Sequence, residues 1–264
     1  MDEFFCGIDI GSLSCEAVLV DAAGVIRGWQ EMATRPNHLQ TAREILDRLL
    51  TATGLDEGRI AAVVGTGYGR RNIPFADHQV TEISCHARGA AACFPAVDML
   101  IDIGGQDSKV IHVDGTGMVL DFAMNDKCAA GTGKFLNVMA QTLQLSLSDL
   151  GPVSLQARKG TEISSMCTVF AESEVISLIA AGEPVAEIAW GVHLAMARRV
   201  ASMAKQLGLK GRPAFTGGVA LNAGMIKALE IALGVALLVP EVPQIVGAYG
   251  AALLARDRFM DEKP

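Results

Sequence analysis

Short, almost wholly apolar runs alternate along the chain with longer segments whose apolar residues recur every three or four positions. The runs at 7–11 and 100–104 are typical of buried strands, although each contains one aspartate. Segments 39–50 and 188–207 carry their apolar residues at helical spacing. A chain in which strand-type and helix-type segments alternate is predicted to adopt an α/β fold.

The two strand-type runs belong to an internal repeat. Residues 7–12 align with residues 100–105, and further along the chain Val20-Asp21 aligns with Val113-Asp114. Each copy predicts an apolar strand with one Asp, a turn that contains Gly, a second apolar strand, and then an Asp-Gly turn and a third strand. The sequence therefore predicts duplicated β-meanders, one in each of two similar lobes.

The aspartates of the repeat, Asp9 and Asp102, lie within apolar strands. Burying a carboxylate there is costly unless it meets a cation or hydrogen-bond donors. Glycines directly after each Asp would let backbone N–H groups approach phosphate oxygens. A purely structural interpretation treats both residues as turn caps, but turn caps lie at strand ends and these residues have apolar neighbours on both sides. We therefore interpret the repeat as a pair of phosphate-binding loops.

Charge and hydropathy narrow the classes of function. The formal net charge of -7 argues against a nucleic-acid partner or an anionic membrane surface. The N-terminal residues lack the basic and apolar regions of a secretory signal, and apolar stretches such as 231–239 are shorter than the roughly 20 residues of a membrane span. These features predict a soluble, cytoplasmic protein that binds neither nucleic acid nor membrane. In that compartment its six cysteines are expected to be reduced.

Several motifs resemble those of the actin, Hsp70 and sugar-kinase (ASKHA) superfamily. Segment 9–14 looks like the first phosphate loop, segment 102–108 like the second, and segment 214–222 like the adenosine-binding turn. Segments 131–133 and 247–252 resemble the two connecting helices, whose small residues allow helices to cross closely. The resemblance implies a two-lobed, actin-like ATPase fold of the ribonuclease H-like type, in which both lobes contribute to one ATP site.

The same resemblance implies a domain division and a set of nucleotide-binding residues. Lobe I is expected to comprise residues 1–97 plus about 241–264, and lobe II residues 98–240. Asp9 and Asp102 suit Mg²⁺ held largely through water. ATP or ADP is expected to contact residues of all five motifs: Gly11, Ser12, Leu13, Ser14, Gly104, Gly105, Gln106, Asp107, Gly131, Thr132, Gly133, Gly217, Gly218, Val219, Asn222, Gly247 and Gly250.

Phosphoryl transfer mainly requires positioning, charge neutralisation and a polar residue that orients water. The resemblance makes Asp9, Asp102 and Gln106 the catalytic candidates, and either Gln106 or Asp102 is suited to orient the attacking water. Many relatives carry Lys at the position that is Glu16 here. Either Lys109, which aligns with Glu16 in the internal repeat, supplies the missing positive charge, or the site makes fewer direct cationic contacts to the phosphates.

Cys128 and Cys167 differ from the other cysteines by their context. Each directly precedes a segment with helical spacing, and the positive end of a helix dipole stabilises a thiolate. Spacing alone leaves buried, nucleophilic and metal-binding roles open, because neither residue belongs to a Cys-x-x-Cys pair. A cubane cluster also normally takes four thiolates, more than this pair supplies.

The segments around these cysteines look like signature segments of the 2-hydroxyacyl-CoA dehydratase activator family, of the BadF/BadG/BcrA/BcrD type, which includes the ATPase subunits of benzoyl-CoA reductase. The resemblance covers essentially the full chain. It implies a homodimer with one bridging [4Fe-4S] cluster, to which each subunit contributes Cys128 and Cys167. The matching segments are 81–87, 103–107, 125–136 and 167–175.

The family resemblance further implies an ATPase that passes low-potential electrons to a partner enzyme. The expected partner is a 2-hydroxyacyl-CoA dehydratase or a benzoyl-CoA-type reductase, with ferredoxin or flavodoxin as the electron donor. Both a transient activator and a permanent subunit fit the motifs. The alternatives are a small-molecule kinase of the same superfamily and a nucleotide-gated binding module. Neither alternative gives the Cys128 and Cys167 segments a function.

The remaining four cysteines are expected to have structural roles. Cys6 and Cys93 have apolar surroundings, Cys15 borders the first phosphate loop, and Cys85 precedes His86 on a predicted helix. Adjacent helix residues do not share a face, so Cys85 and His86 are not expected to form a metal pair. The other four histidines have no partner at ligand spacing, and we assign them no site role.

Overall fold

Two β-sheets organise the fold. The computed structural model describes residues 3–165 and 167–262. The first sheet has the strand order β3-β2-β1-β4-β5, with β1 (Phe4–Ile10), β2 (Ser14–Asp21), β3 (Ile26–Ala33), β4 (Ile60–Thr66) and β5 (His78–Gln79). The second has the order β8-β7-β6-β9, with β6 (Met99–Ile103), β7 (Ser108–Val113), β8 (Val119–Asn125) and β9 (Ala214–Thr216).

Helices follow and separate these strands, as the predicted α/β class requires. The helical spacing at 39–50 and 188–207 corresponds to α1 and α6. Among the helices of the described chain, none combines the length and the apolar character that crossing a bilayer demands. The helices are α1 (His38–Thr53), α2 (Glu82–Cys93), α3 (Gly133–Thr142), α4 (Leu147–Ser154), α5 (Thr168–Ala180), α6 (Val185–Gln206), α7 (Ala223–Leu233) and α8 (Val246–Asp261).

The chain divides into two compact units. Unit 1 comprises residues 1–97, 113–120 and 244–264, and unit 2 comprises residues 98–112 and 121–243. Residues 1–2 and 263–264 of the predicted lobe I, and residue 166 of the predicted lobe II, lie outside the described residues. The lobe boundaries inferred from the sequence stay a prediction.

In unit 1, the central strand β1 fixes the position of Asp9. β1 pairs antiparallel with β2 and parallel with β4. Side chains alternate along a strand, so Ile8 and Ile10 enter a core that α1 closes. Gly7 and Asp9 face the other side, where α8 packs so closely that a side chain at residue 7 would collide with the α8 backbone. Asp9 therefore lies between the sheet and α8.

In unit 2, β6 repeats this arrangement. It pairs antiparallel with β7 and parallel with β9. Ile101 and Ile103 are fully buried in a core shared with α3, α5, α6 and α7, and burying such a side chain contributes roughly 1.5–3 kcal/mol. Asp102 lies on the opposite face and is 2% exposed. The duplicated meander predicted from the sequence thus places the two aspartates at equivalent strand positions.

One helix begins later than the sequence pattern predicted. α3 starts at Gly133 and not directly after Cys128. Gly131 has a φ of 97°, and Thr132 has φ -128° and ψ 169°, so neither residue is helical. The residues between Cys128 and α3 therefore form a loop, which we call the Cys128 loop (residues 126–132).

Candidate functional site

The predicted first phosphate loop, residues 9–14 (phosphate loop 1), is a tight turn between β1 and β2. Gly11 N donates to Ser14 O (3.0 Å), and Thr34 Oγ1 donates to Gly11 O (2.9 Å). A Cβ at residue 11 would lie 2.9 Å from Ser14 O, so the turn needs glycine. Ser12 and Leu13 are exposed. The loop therefore combines a hydrogen-bonded backbone with two exposed residues at its tip.

Asp9 is buried beside two other polar side chains. Its Oδ2 atom lies 3.8 Å from Nε2 of His86 on α2, and Glu16 is its neighbour across the β1–β2 pair. Glu16 and His86 are also buried. A side chain at residue 247 would collide with both Asp9 and His86, so Gly247 allows α8 to pack against them. His86 is thus a neighbour of the first phosphate loop that the sequence analysis missed.

The sequence contained little signal for the contact between His86 and Asp9. The two residues lie on different elements, and no spacing motif joins them. The adjacency of Cys85 and His86 on one helix gives no information about a partner of His86 on another element. Gly250 contributes to the same packing, because a side chain there would collide with the carbonyl oxygen of Cys85 on α2. The small residues of α8 therefore serve close packing within unit 1.

In unit 2, Asp102 is neutralised by Lys109. Lys109 Nζ lies 3.4 Å from Asp102 Oδ2 and 2.8 Å from Asp107 Oδ2, and it is 2% exposed. Thr216 Oγ1 donates to the other oxygen of Asp102 at 2.9 Å. A buried carboxylate is stable only with such partners. Lys109 is therefore committed to the acidic side chains of phosphate loop 2.

Phosphate loop 2 is closed by a backbone hydrogen bond from Gly104 N to Asp107 O (3.0 Å). The Gln106 side chain is exposed, whereas Asp107 is half-buried. Ser108 Oγ is buried and has no hydrogen-bond partner among the residues that the structure describes. A buried hydroxyl left in this way carries a desolvation cost that a ligand oxygen would remove. The loop thus suits an oxygen-rich ligand such as phosphate.

Loop 2 is bonded directly to α3. Gly133 N donates to Gly104 O (2.9 Å), and Lys134 N donates to Gly105 O (2.8 Å). The first N–H groups of a helix have no partner within the helix, and here the loop carbonyls accept them. Phosphate loop 2 and the start of α3 therefore form one hydrogen-bonded element, and the Cys128 loop leads into it.

The adenosine-type turn follows β9. Gly217 has a φ of 85°, and a side chain there would approach Ile103 O at 2.5 Å and Asp102 Oδ1 at 2.8 Å. Gly218 has open space around its Cα, and Val219 is buried. Only the first glycine of the pair is therefore required by the protein itself.

Asn222 ends the turn and caps α7. Its Oδ1 atom accepts from Met225 N (3.0 Å) and lies 3.1 Å from His193 Nε2. His193 Nδ1 lies 2.8 Å from Ala189 O, so a neutral ring can donate to only one of the two oxygens. Burial lowers the pKa of His193, and the hydrogen bonds with Ala189 and Asn222 oppose that shift only in part. The Asn222 side chain is therefore occupied in shaping the turn.

Cys167 is an exposed thiol at the N-terminus of α5. It is the N-cap residue, as predicted, and no side chain caps the helix there. Thr168 Oγ1 is buried without a hydrogen-bond partner in the described parts of the chain. Unsatisfied donors at a helix N-terminus favour a negatively charged ligand. This end of α5 therefore suits a metal-bound thiolate.

Cys128 is a half-buried thiol in the Cys128 loop. It packs at the margin of the unit 2 core. Asn125 Nδ2 donates to Cys128 O (2.9 Å) and to Ala130 O (3.2 Å), which holds the loop in shape. Helix α3, which follows the loop, packs against α5, which follows Cys167. Both candidate thiols thus belong to the same compact unit.

The other cysteines have the properties of structural residues. Burial raises the pKa of Cys6 to about 12. Burial raises the pKa of Cys85 to about 12 as well. Cys15 is fully buried, and burial followed by repulsion from Glu16 raises its pKa further. Thiols of this kind stay protonated and are poor metal ligands.

Potential metal ligands do not cluster in the described part of the chain. Within residues 3–165 and 167–262, no three His, Cys, Asp or Glu side chains are arranged to hold a metal ion. Cys128 and Cys167 are two potential ligands, and a cubane cluster normally takes four.

Comparisons with known proteins identify the family. The sequence model of the BadF/BadG/BcrA/BcrD ATPase family matches residues 6–255. The chain is 43% identical to the 2-hydroxyisocaproyl-CoA dehydratase activator of Clostridioides difficile, over 97% of this chain and 96% of that protein. It is 44% identical to the activator of lactoyl-CoA dehydratase of Anaerotignum propionicum, over 94% of this chain and 96% of that protein.

A solved structure has the same fold. The activator of the 2-hydroxyisocaproyl-CoA dehydratase from Clostridium difficile, with bound ADPNP, has a TM-score of 0.93 to this chain at 41% identity. The match covers 99% of this chain and 96% of that chain. The predicted fold class and the predicted family are both confirmed. The chain belongs to the BadF/BadG/BcrA/BcrD ATPase family.

Proposed function

We propose that this protein is an ATP-dependent activator that couples ATP hydrolysis to the transfer of low-potential electrons into a 2-hydroxyacyl-CoA dehydratase. One observation carries the proposal. Hydrogen bonds from Gly133 N and Lys134 N to the carbonyls of Gly104 and Gly105 join phosphate loop 2 to the helix that follows the Cys128 loop. A change of loop 2 on nucleotide binding would therefore move the backbone next to a candidate metal-binding thiol.

ATP is the proposed ligand of the two phosphate loops and the adenosine turn. The exposed tip of loop 1 offers N–H groups to phosphate oxygens, and the orphaned hydroxyl of Ser108 offers a further donor in loop 2. The similar activator structure was solved with ADPNP, an ATP analogue. Mg²⁺ would be held largely through water near Asp9 and Asp102. Because Asp102 already accepts from Thr216 and Lys109, its contribution to the metal would be indirect.

Hydrolysis would join a water oxygen to the γ-phosphorus and break the bond to the β–γ bridging oxygen, which releases ADP and phosphate. The residue that orients the water must have a polar side chain that the water can reach. Asp102 is 2% exposed and already pairs with Thr216 and Lys109, whereas the Gln106 side chain is exposed in loop 2. Gln106 is therefore the better candidate of the two.

We infer that Cys128 and Cys167 of two copies hold one [4Fe-4S] cluster, which makes the protein a homodimer. Both thiols lie outside the fully buried core, Cys167 begins a helix, and the Thr168 hydroxyl beside it offers a hydrogen-bond donor. When bound, the cluster would supply one-electron transfer. The protein's own part is to hold four thiolates and to link their surroundings to phosphate loop 2.

The electron would come from a reduced ferredoxin or flavodoxin and would leave to the partner enzyme, one electron at a time. The two relatives described above are dehydratase activators, and this favours a 2-hydroxyacyl-CoA dehydratase over a benzoyl-CoA-type reductase as that partner. An activator of this kind acts transiently and needs reduced thiols, in keeping with a cytoplasmic location.

Anaerobic purification followed by iron and sulfide analysis tests the cluster. About four irons and four sulfides per dimer are expected for the native chain, and both should be lost in Cys128→Ala and in Cys167→Ala. Cys93→Ala is the matched control, because Cys93 is a half-buried thiol of unit 1 and its removal should leave the iron content unchanged. An iron-free native protein with intact ATP hydrolysis would remove this function and favour a kinase or a nucleotide-gated module.

A further inference from the structure

The segment that leads into Cys167 is fastened to α5 by one carboxylate. Glu174 Oε1 accepts from Ser164 N (3.0 Å) and Ser164 Oγ (2.9 Å), and Oε2 accepts from Ser165 N (3.0 Å). Burial raises the pKa of Glu174, but the hydrogen bonds from Ser164 and Ser165 together lower it by more, so the net shift is downward. The carboxylate is therefore ionised at neutral pH and uses both oxygens to hold two consecutive N–H groups.

The segment around Cys128 is held in a comparable way, but by a side-chain donor that binds backbone carbonyls. Asn125 is the last residue of β8, and its Nδ2 group donates to the carbonyl oxygens of Cys128 and Ala130. One amide nitrogen thus binds two carbonyl oxygens of the Cys128 loop and anchors this loop to the end of β8. Glu174 thus binds the backbone shortly before Cys167, and Asn125 binds the backbone at Cys128.

Groups that orient a metal ligand without touching the metal are known to affect metal affinity. A ligand loop that is already ordered loses less conformational entropy when the metal binds. Neither Glu174 nor Asn125 offers a sulfur or an imidazole of its own. Their hydrogen bonds fix the backbone of Ser164 and Ser165, shortly before Cys167, and of the Cys128 loop.

We propose that Glu174 and Asn125 are positioning residues that preset the backbone at Cys167 and Cys128 for cluster binding. The inference rests on the proposed function, in which these thiols hold a [4Fe-4S] cluster. Part of the affinity for the cluster then comes from one carboxylate and one amide that do not contact iron.

Glu187 provides a control that distinguishes the positioning of Cys167 from the general stability of the connection. Its carboxylate accepts from the backbone N–H groups of Arg158 (2.8 Å), Lys159 (3.1 Å) and Gly160 (2.5 Å). These residues belong to the same connection between α4 and α5, but they lie several residues before Cys167. Glu187→Gln therefore weakens a clamp of the same chemistry away from the cysteine and serves as the matched control.

The test variants are Glu174→Gln and Asn125→Asp. The first replaces one accepting oxygen by an NH₂ group that faces an N–H donor, and the second replaces the donating NH₂ by an oxygen that faces two carbonyls. In anaerobically reconstituted protein, both variants should release iron to a ferrous chelator faster, on the order of 10-fold to 100-fold. Glu187→Gln should release iron at the native rate. Equal release rates in the native protein and all three variants would overturn the proposal.

Hydrogen exchange on the cluster-free protein gives a second readout that does not depend on iron. Glu174→Gln should raise exchange at residues 164–165, and Glu187→Gln at residues 158–160. If the native chain binds no iron, the proposed function fails whatever the exchange data show. If the native chain binds iron and the exchange changes occur without faster release, only the positioning role fails. Should Glu174→Gln not fold, Ser164→Ala removes the 2.9 Å hydroxyl bond alone and should give a smaller change in the same direction.

Discussion

Gly133 N donates a 2.9 Å hydrogen bond to Gly104 O, and this bond ties the first residue of α3 to phosphate loop 2. The contact is close, because a Cβ at residue 133 would lie 3.0 Å from Gly104 O and 3.3 Å from Val219 Cγ2. Neither atom can move far, since one belongs to the loop backbone and the other to a buried side chain. The position of α3 is therefore set by the conformation of loop 2.

Gly133→Ala should uncouple the Cys128 loop from the nucleotide. In cluster-free native protein, the rate at which an alkylating reagent modifies Cys128 should change when ATP is added, because loop 2 and α3 move together. The added methyl group pushes α3 away from loop 2, so the variant should show little or no response to ATP. Mass spectrometry of alkylated Cys128 measures both rates. An unchanged response in the variant would contradict the coupling.

The two glycines of the adenosine turn should differ in their tolerance of substitution. Gly217→Ala places a methyl group against Ile103 O and Asp102 Oδ1 at a φ of 85°, which should destabilise the protein by about 1–3 kcal/mol and weaken ATP binding. Gly218→Ala enters open space and should leave stability nearly unchanged. Chemical unfolding and nucleotide titration of both variants check this. Equal losses in the two variants would show that the turn differs from the one described.

Removal of the Lys109 charge should be among the most damaging single changes in unit 2. Lys109→Met leaves the buried carboxylate of Asp102 without its cation, a change that costs about 3–5 kcal/mol in comparable buried pairs. Lys127→Met removes a lysine that is 88% exposed and pairs with Asp126, and it should cost no more than about 1 kcal/mol. Urea unfolding of both variants compares them directly. A loss below 1 kcal/mol for Lys109→Met would contradict the ion pair.

The stability of the protein should depend on pH through His193. Burial lowers the pKa of this histidine in the folded state, so below pH 6.5 the unfolded chain takes up a proton that the folded protein resists. The contribution of the neutral His193 ring to the free energy of unfolding is complete above pH 6.5. It is lost as the pH falls toward the folded-state pKa of the ring. His193→Gln should therefore flatten the decline of the unfolding free energy between about pH 7 and pH 5. Parallel slopes for the native and variant proteins would contradict the prediction.

The fold could be predicted well because its main signals are local. The meander around Asp9 is encoded in a short apolar run, a Gly turn and a second apolar run, and the same sequence pattern recurs around Asp102. Gly217 could be identified because segment 214–222 resembles the adenosine-binding turn, and its φ of 85° gives the physical reason for glycine there. Each of these inferences needed only residues that are close together in the sequence.

The contacts that complete the site join residues far apart in the chain, and these could not be predicted. His86 on α2 meets Asp9 on β1 because α8 packs against both elements, and His193 meets Asn222 because α6 packs on α7. The start of α3 was predicted too early for a different reason. The sequence pattern favours a helix that begins directly after Cys128, but Gly131 has a positive φ and Thr132 an extended backbone, so the helix begins only at Gly133.

The deep burial of Cys6, Cys15 and Cys85 has a practical use. At neutral pH a maleimide reagent reaches exposed thiols much faster than thiols enclosed in a core, so these three should remain unmodified. The exposed Cys167 and the half-buried Cys128 are then the main labelling positions, and the pKa of the half-buried Cys93 is raised by burial. A fluorophore or spin label could thus be attached at the proposed electron-transfer centre of the native sequence, without first constructing a cysteine-light background.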